Sequence, residues 1–162
     1  MRKIETLRDA IYGALPELKR DPDRIRIWIE RGSAKSTLTE NRGLCFAFQL
    51  NVLVVEMATD LAVLALAVFM WLRTNQPELM VPNAEGFSFD ADILDNKTAD
   101  VLIQLQLDQV VVATPNPDGS VALDYRGEPD PLFTDPLSIT GTQPPPALTG
   151  FEATEDLPPW DD

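Results

Sequence analysis

Residues 23–80 read without a break as strand, polar loop, long strand and helix, and this order restricts the chain to a sheet with helices laid against it. Ile25, Ile27 and Ile29 alternate with Arg24, Arg26 and Glu30, the period of a half-buried strand. Trp28 falls on the polar side, so that face is expected to be covered. Residues 32–43 are polar and read as a loop of about twelve residues, long for a hairpin connection and suggestive of an arm. Leu44–Met57 reads as one long strand, with Phe46, Phe48, Leu50, Val52 and Val54 on one face. Its other face becomes apolar at Leu53 and Val55, predicting a central strand covered on both sides there. Thr59 or Asp60 is placed to cap the helix that follows. Leu61, Leu64, Val68 and Trp71 keep helical spacing, and the helix should end near Asn75, before Pro77.

The flanks extend the same architecture. Ile4, Leu7, Ile11, Ala14, Leu15 and Leu18 recur at three and four residues, an amphipathic helix that Pro16 should stop or kink. Asp21-Pro22-Asp23 is a turn. Downstream, Phe87, Phe89, Ala91 and Ile93 alternate with Ser88, Asp90 and Asp92. After a turn at Asp95-Asn96-Lys97, Val101, Ile103, Leu105 and Leu107 alternate with polar partners. These two strands form a hairpin, and Val110–Val112 continues the second. Asp118-Gly119 marks a further hairpin turn towards a last strand with Val121, Leu123 and Tyr125. The expected fold is α+β: an antiparallel or mixed sheet of four to five strands with two helices on one side.

Charge and composition divide the chain. There are 26 acids against 13 bases, a formal charge of −13. Residues 127–162 hold eight of the acids, no Lys or Arg, and eight of the 14 prolines, whereas residues 1–126 carry a net of only −5. We therefore divide the chain into an α+β domain, 1–126, and an acidic Pro-rich segment, 127–162. Such a composition buries too little apolar surface to fold alone. The segment nevertheless carries Leu132, Phe133, Leu137, Ile139, Leu148, Phe151, Leu157 and Trp160. Two readings stand: an extended arm docking Phe151 and Trp160 on a neighbour, or a tail that stays unfolded.

Several functions are excluded or disfavoured. The chain contains no histidine, which removes Ser–His and Cys–His catalysis and His-bound zinc. The acidic balance argues against nucleic-acid readout, which needs clustered Lys and Arg. Cys45 is the single cysteine, so no intrachain disulfide forms, consistent with a reducing compartment. The longest apolar run, Leu61–Leu72, is shorter than the roughly 20 residues of a membrane span. The N-terminus has no apolar core of a signal peptide, so the expectation is a soluble protein made in the cytoplasm. Gly32-Ser33-Ala34-Lys35-Ser36-Thr37 suggests a phosphate loop, but Ala34 and Ile29 stand where its two glycines belong. A loop contacting a neighbouring subunit through Lys35 fits better. Counted as a calcium loop from Asp90, the sixth and twelfth positions hold Asp95 and Val101 in place of Gly and Glu. Asp90 and Asp92 could pair as acid and base, but they read as the solvent side of a strand. No cofactor is called for. Arg24 and Arg26, sharing a strand face with Trp28, form a candidate interface patch, since Arg and Trp recur at binding hot spots. Cys45 and the Trp71 helix face are assigned to the core.

These parts together resemble the tail completion protein R (GpR) family of contractile-tailed temperate phages. The resemblance is carried by Asp21-Pro22-Asp23 running into RIRIWIERGS, by Gly32-Ser33 with Ser36-Thr37-Leu38, and by Leu50-Asn51-Val52. It continues through Trp71-Leu72-Arg73 with Asn75-Gln76-Pro77-Glu78-Leu79-Met80, the stretch Trp71–Met80 being its most specific part, to Gly86-Phe87-Ser88-Phe89 and Ala91-Asp92-Ile93. It spans about residues 5–130 and adds Arg73 to the candidate interface residues. It implies a structural virion protein, not an enzyme. Identical subunits, six to match a contractile tube, would form a ring capping tube and sheath at the head-proximal end and receiving the neck connector. No membrane or nucleic acid is implied. The alternative is a small binding module or tail assembly chaperone absent from the finished particle.

Overall fold

The computed structural model describes residues 1–36 and 42–128, which belong to a single compact unit, Met1–Pro131. Residues 37–41 and 129–162, Phe151 and Trp160 included, lie outside the described residues.

The N-terminal apolar stripe forms helix α1, Arg2–Ala14, and Pro16 breaks it as expected. Proline is tolerated in a first helical turn, where its missing N–H would have no partner. The chain therefore restarts at once as helix α2, Pro16–Arg20. A 3-10 turn, Pro22–Arg24, leads into strand β1, Ile25–Ser36, followed by strand β2, Gly43–Met57. Within the expected polar loop Gly32–Ser36 and Gly43 are thus strand, with Arg31 through Ser36 pairing with Gln49 through Leu44, while residues 37–41 lie outside the described residues. At those six residues polarity does not mean irregular backbone. An edge strand with only one neighbour keeps a polar sequence without losing its ladder.

Helix α3 spans Leu61–Asn75, with Asp60 Oδ1 accepting the Ala62 N–H at 2.8 Å. A 3-10 turn, Pro77–Met80, then leads to strands β3 (Ser88–Ile93), β4 (Ala99–Pro115) and β5 (Val121–Tyr125). The turn before β4 is held by the Asp95 carboxylate, which accepts the amides of Lys97 and Thr98 at 2.7 and 2.8 Å. These bonds hold its pKa below the usual carboxylate range.

The sheet is antiparallel throughout, in the order β1-β2-β4-β3, with β5 on β4. Phe48, Leu50, Val52 and Val54 of β2 and Val101, Ile103, Leu105 and Leu107 of β4 point to one face. There they pack with Leu7, Ile11, Leu15 and Leu18 from the N-terminal helices and Leu64, Val68, Trp71 and Leu72 from α3. Each fully buried Leu or Ile contributes roughly 1.5–3 kcal/mol, and this layer is the core. The Trp71 indole N–H donates to Thr6 Oγ1 at 3.0 Å, joining α3 to α1. Gly86, at φ +68°, lets the chain pass α3 at a point where a Cβ would lie 2.8 Å from Phe69 Cε1.

Candidate assembly interface

The face of the sheet away from the helices bears no layer among the described residues. β2 is the central strand expected, but its cover is one-sided: Leu53 and Val55 are only half-buried. Cys45, expected in the core, sits half-buried on this open face beside Val110.

A β-bulge decides which β1 side chains reach the open face. The register slips between Ile29, opposite Leu50, and Arg31, opposite Gln49. A bulge of this kind puts two residues against one and reverses the alternation beyond it. Before the bulge the odd residues share a face with the β2 core residues; beyond it Arg31, Ser33 and Lys35 share a face with Gln49, Ala47 and Cys45. Arg26, Trp28, Arg31 and Lys35 therefore lie on one surface along the edge strand. Trp28 is 40% exposed, so the cover expected for it is not supplied by the described residues. Glu30, at the bulge, accepts from Asn51 Nδ2 at 2.7 Å and Gln49 Nε2 at 3.0 Å. Gln106 Nε2 then donates to Gln49 Oε1 at 3.2 Å. A band of amides thus crosses the middle of the open face.

The far edge has the opposite charge. Asp90 pairs with Leu102 and Asp92 with Asp100, putting three carboxylates on the open face at β3. Arg26 and Asp90 end one cross-strand row, Arg26–Leu53–Leu102–Asp90. Among the described residues, neither Arg26, Arg31 and Lys35 nor Asp90 and Asp92 form ion pairs.

The other candidates lie elsewhere. Arg24 is not on the strand face with Arg26 and Trp28. It closes the 3-10 turn, with Nε 3.3 Å from Asp21 Oδ2 and Nη2 3.6 Å from Glu56 Oε2. Arg73 is half-buried in the last turn of α3, in the helix layer behind the sheet, where a cation complements the helix dipole. The structure therefore unites Arg26, Trp28 and Lys35 and sets Arg24 and Arg73 apart.

Sequence reasoning missed a polar cluster at the gap between β3 and β5. Both strands pair with the same edge of β4, β3 along Ala99–Gln104 and β5 along Val111–Pro115. The Gln76 side chain enters this gap, and its Oε1 accepts the Asp108 N–H at 3.3 Å. The same oxygen accepts from Lys3 Nζ at 2.8 Å, while Gln76 Nε2 donates to Asp108 Oδ1 and Glu78 Oε2. Lys3, only 4% exposed, also reaches Glu128 Oε1 at 2.7 Å. An almost buried ammonium is tolerated because carboxylates and an amide surround it. The available signal was Gln76 itself, within the Asn75-Gln76-Pro77 stretch that follows a helix end.

Among the described residues, no group of three or more His, Cys, Asp or Glu is arranged to hold a metal, and no helix is long and apolar enough to cross a membrane.

The comparisons fit this architecture. Residues 1–129 match the model of the P2 phage tail completion protein R (GpR) family. The chain is 34% identical to the tail completion protein R of Escherichia phage P2 over 134 residues, covering 81% of this chain and 86% of the relative. No solved structure matches. The match takes in every described residue, the edges and the Gln76 cluster included, and the chain belongs to the P2 phage tail completion protein R (GpR) family.

Proposed function

We propose that this chain is a structural protein that completes the tail of a contractile-tailed particle. The observation that carries the reading is the family match over residues 1–129. On this reading the protein acts by shape and turns over no substrate. Identical subunits close into a ring, with six as the order that matches a contractile tube, on the head-proximal end of tube and sheath. One ring face copies the end of the tube. The other accepts no further tube subunit, so growth stops there and the neck connector binds. Ring contacts are head-to-tail and close by rotation. The segment 127–162 reaches across subunits, with Phe151 and Trp160 as apolar anchors.

Electron microscopy of particles from a strain lacking this gene tests the role. Over-long or uncapped tails, or tails that never join heads, are expected. Tails of normal length that join heads normally would overturn it. Mass spectrometry of purified tails should find the chain as a stoichiometric component, which an assembly chaperone would not be.

A further inference from the structure

We propose that β1 of one copy pairs with β3 of a second copy, continuing the antiparallel sheet from subunit to subunit. The inference rests on the ring reading and names the surfaces that make the contact.

Three observations converge on it. First, β1 and β3 are the two ends of the β1-β2-β4-β3 order, each hydrogen-bonded on one side only among the described residues. Open strand edges are templates for another strand. Second, the strand directions match. Three successive antiparallel neighbours make β1 and β3 antiparallel, so copies related by a rotation axis along the strands bring β3 against β1 in an antiparallel sense.

Third, the side chains match on both faces. Residues directly opposite in such a pair share a face. The helix-side residues of β3 are Phe89, Ala91 and Ile93, because they pair with Ile103, Val101 and Ala99. They should be covered, yet Phe89 is 52% and Ile93 76% exposed. Ile29, on the same side of β1, is 42% exposed. Joining the edges puts these apolar groups together. On the open face it puts Arg26 and Trp28 against Asp90 and Asp92. The register with Ile29 opposite Phe89 sets Trp28 opposite Asp90 and Arg26 opposite Asp92, and it ends at the Glu30 bulge, where straight pairing stops. A slip of one residue would set apolar against charged on both faces.

Charge also selects the partner edge. Two β1 edges meeting antiparallel through a two-fold would bring the cations Arg26, Arg31 and Lys35 of one copy against those of the other, and two β3 edges centred on Ala91 would set Asp90 opposite Asp92. Like charges in register oppose both two-fold contacts, whereas β1 against β3 is attractive. The contact is therefore heterologous, the kind that generates rings.

Sedimentation equilibrium of the full chain, at about 0.05 and 0.5 M salt to vary screening, tests the contact. The wild type should assemble, more strongly at low salt. Arg26→Glu with Arg31→Glu gives a chain with two acidic edges, and Asp90→Lys with Asp92→Lys one with two basic edges. Each alone should be monomeric and melt like the wild type diluted until it dissociates, because all four positions are exposed. Mixed, the two variants should assemble again in alternation. A monomeric wild type, charge-reversed chains that assemble as well as wild type, or a mixture that stays monomeric would each overturn the contact. The tail phenotype of the gene deletion is read separately. Defective tails with unaltered assembly of the variants would reject these edges and leave the function standing; normal tails would reject the function whatever the edges do.

Discussion

Lys3 Nζ donates to Gln76 Oε1 at 2.8 Å, and through that oxygen the first helix meets the backbone of the longest strand, since the same oxygen accepts the Asp108 N–H. One amide thus satisfies a nearly buried cation and closes the open stretch of the β4 edge. Gln76→Ala removes both functions and leaves Lys3 short of a partner. We expect a loss of about 2–4 kcal/mol, from a truncated buried partner of a charge. Urea denaturation checks it, and a midpoint unchanged from wild type would reject the role.

Glu128 ties the end of the described domain to the same cation. A chain ending after Arg126 loses that carboxylate, whereas one ending after Pro131 keeps it. The shorter chain should be less stable by about 1–3 kcal/mol, since Lys3 retains Asp108 and Gln76. The chain ending after Pro131 is therefore the proper test of the acidic segment: it should fold like wild type and fail to cap tails if the segment bridges subunits. Equal thermal stability of the two truncations would show that Glu128 contributes nothing.

Glu17 locks α2 to the turn before α3. Burial pushes its carboxyl pKa up, but hydrogen bonds from the Thr59 hydroxyl and the Thr59 and Ala58 amides outweigh this and hold it below the usual value of 4.5. A depressed carboxylate pKa favours the fold above the unfolded-state value, and the contribution is lost as pH falls through the folded value. Glu17→Gln should therefore cost about 1–2 kcal/mol at neutral pH and remove part of the stability loss seen below pH 4.5. Parallel stability–pH curves for the two proteins would contradict the assignment.

Two glycines at positive φ separate backbone strain from crowding. Gly119, at φ +86° in the turn between β4 and β5, has nothing within 4 Å of an added Cβ. Gly119→Ala should cost about 1 kcal/mol, from conformation alone. Gly86→Ala also drives a methyl into the Phe69 ring, whose centroid lies 4.9 Å from that of Phe87 with the rings tilted at 39°, and should cost about 2–4 kcal/mol. Equal costs in thermal melts would mean that Phe69 moves aside freely.

Local rules decided much of this molecule. The period-two runs at Phe48–Val54 and Val101–Leu107, the helical stripes at Leu7–Leu18 and Leu64–Trp71, the Pro16 break, the Asp60 cap and the Asp118-Gly119 turn all act over a few residues. Their physics was therefore legible in the sequence, as was the family resemblance. Tertiary structure alone decided the rest. That Arg31 through Ser36 form strand depended on β2 lying beside them. Lys35 joins Arg26 and Trp28 on one face because a bulge shifts the register at Glu30, and Arg24 is diverted to Asp21 and Glu56. The cluster of Lys3, Gln76, Asp108 and Glu128 draws on residues up to 125 positions apart, and no local pattern marks a gap between two strands that share one edge. Hydrophobic periodicity reports which side of an element faces the core. Which edges remain open, and which charges meet there, follows only once the strands have found their order.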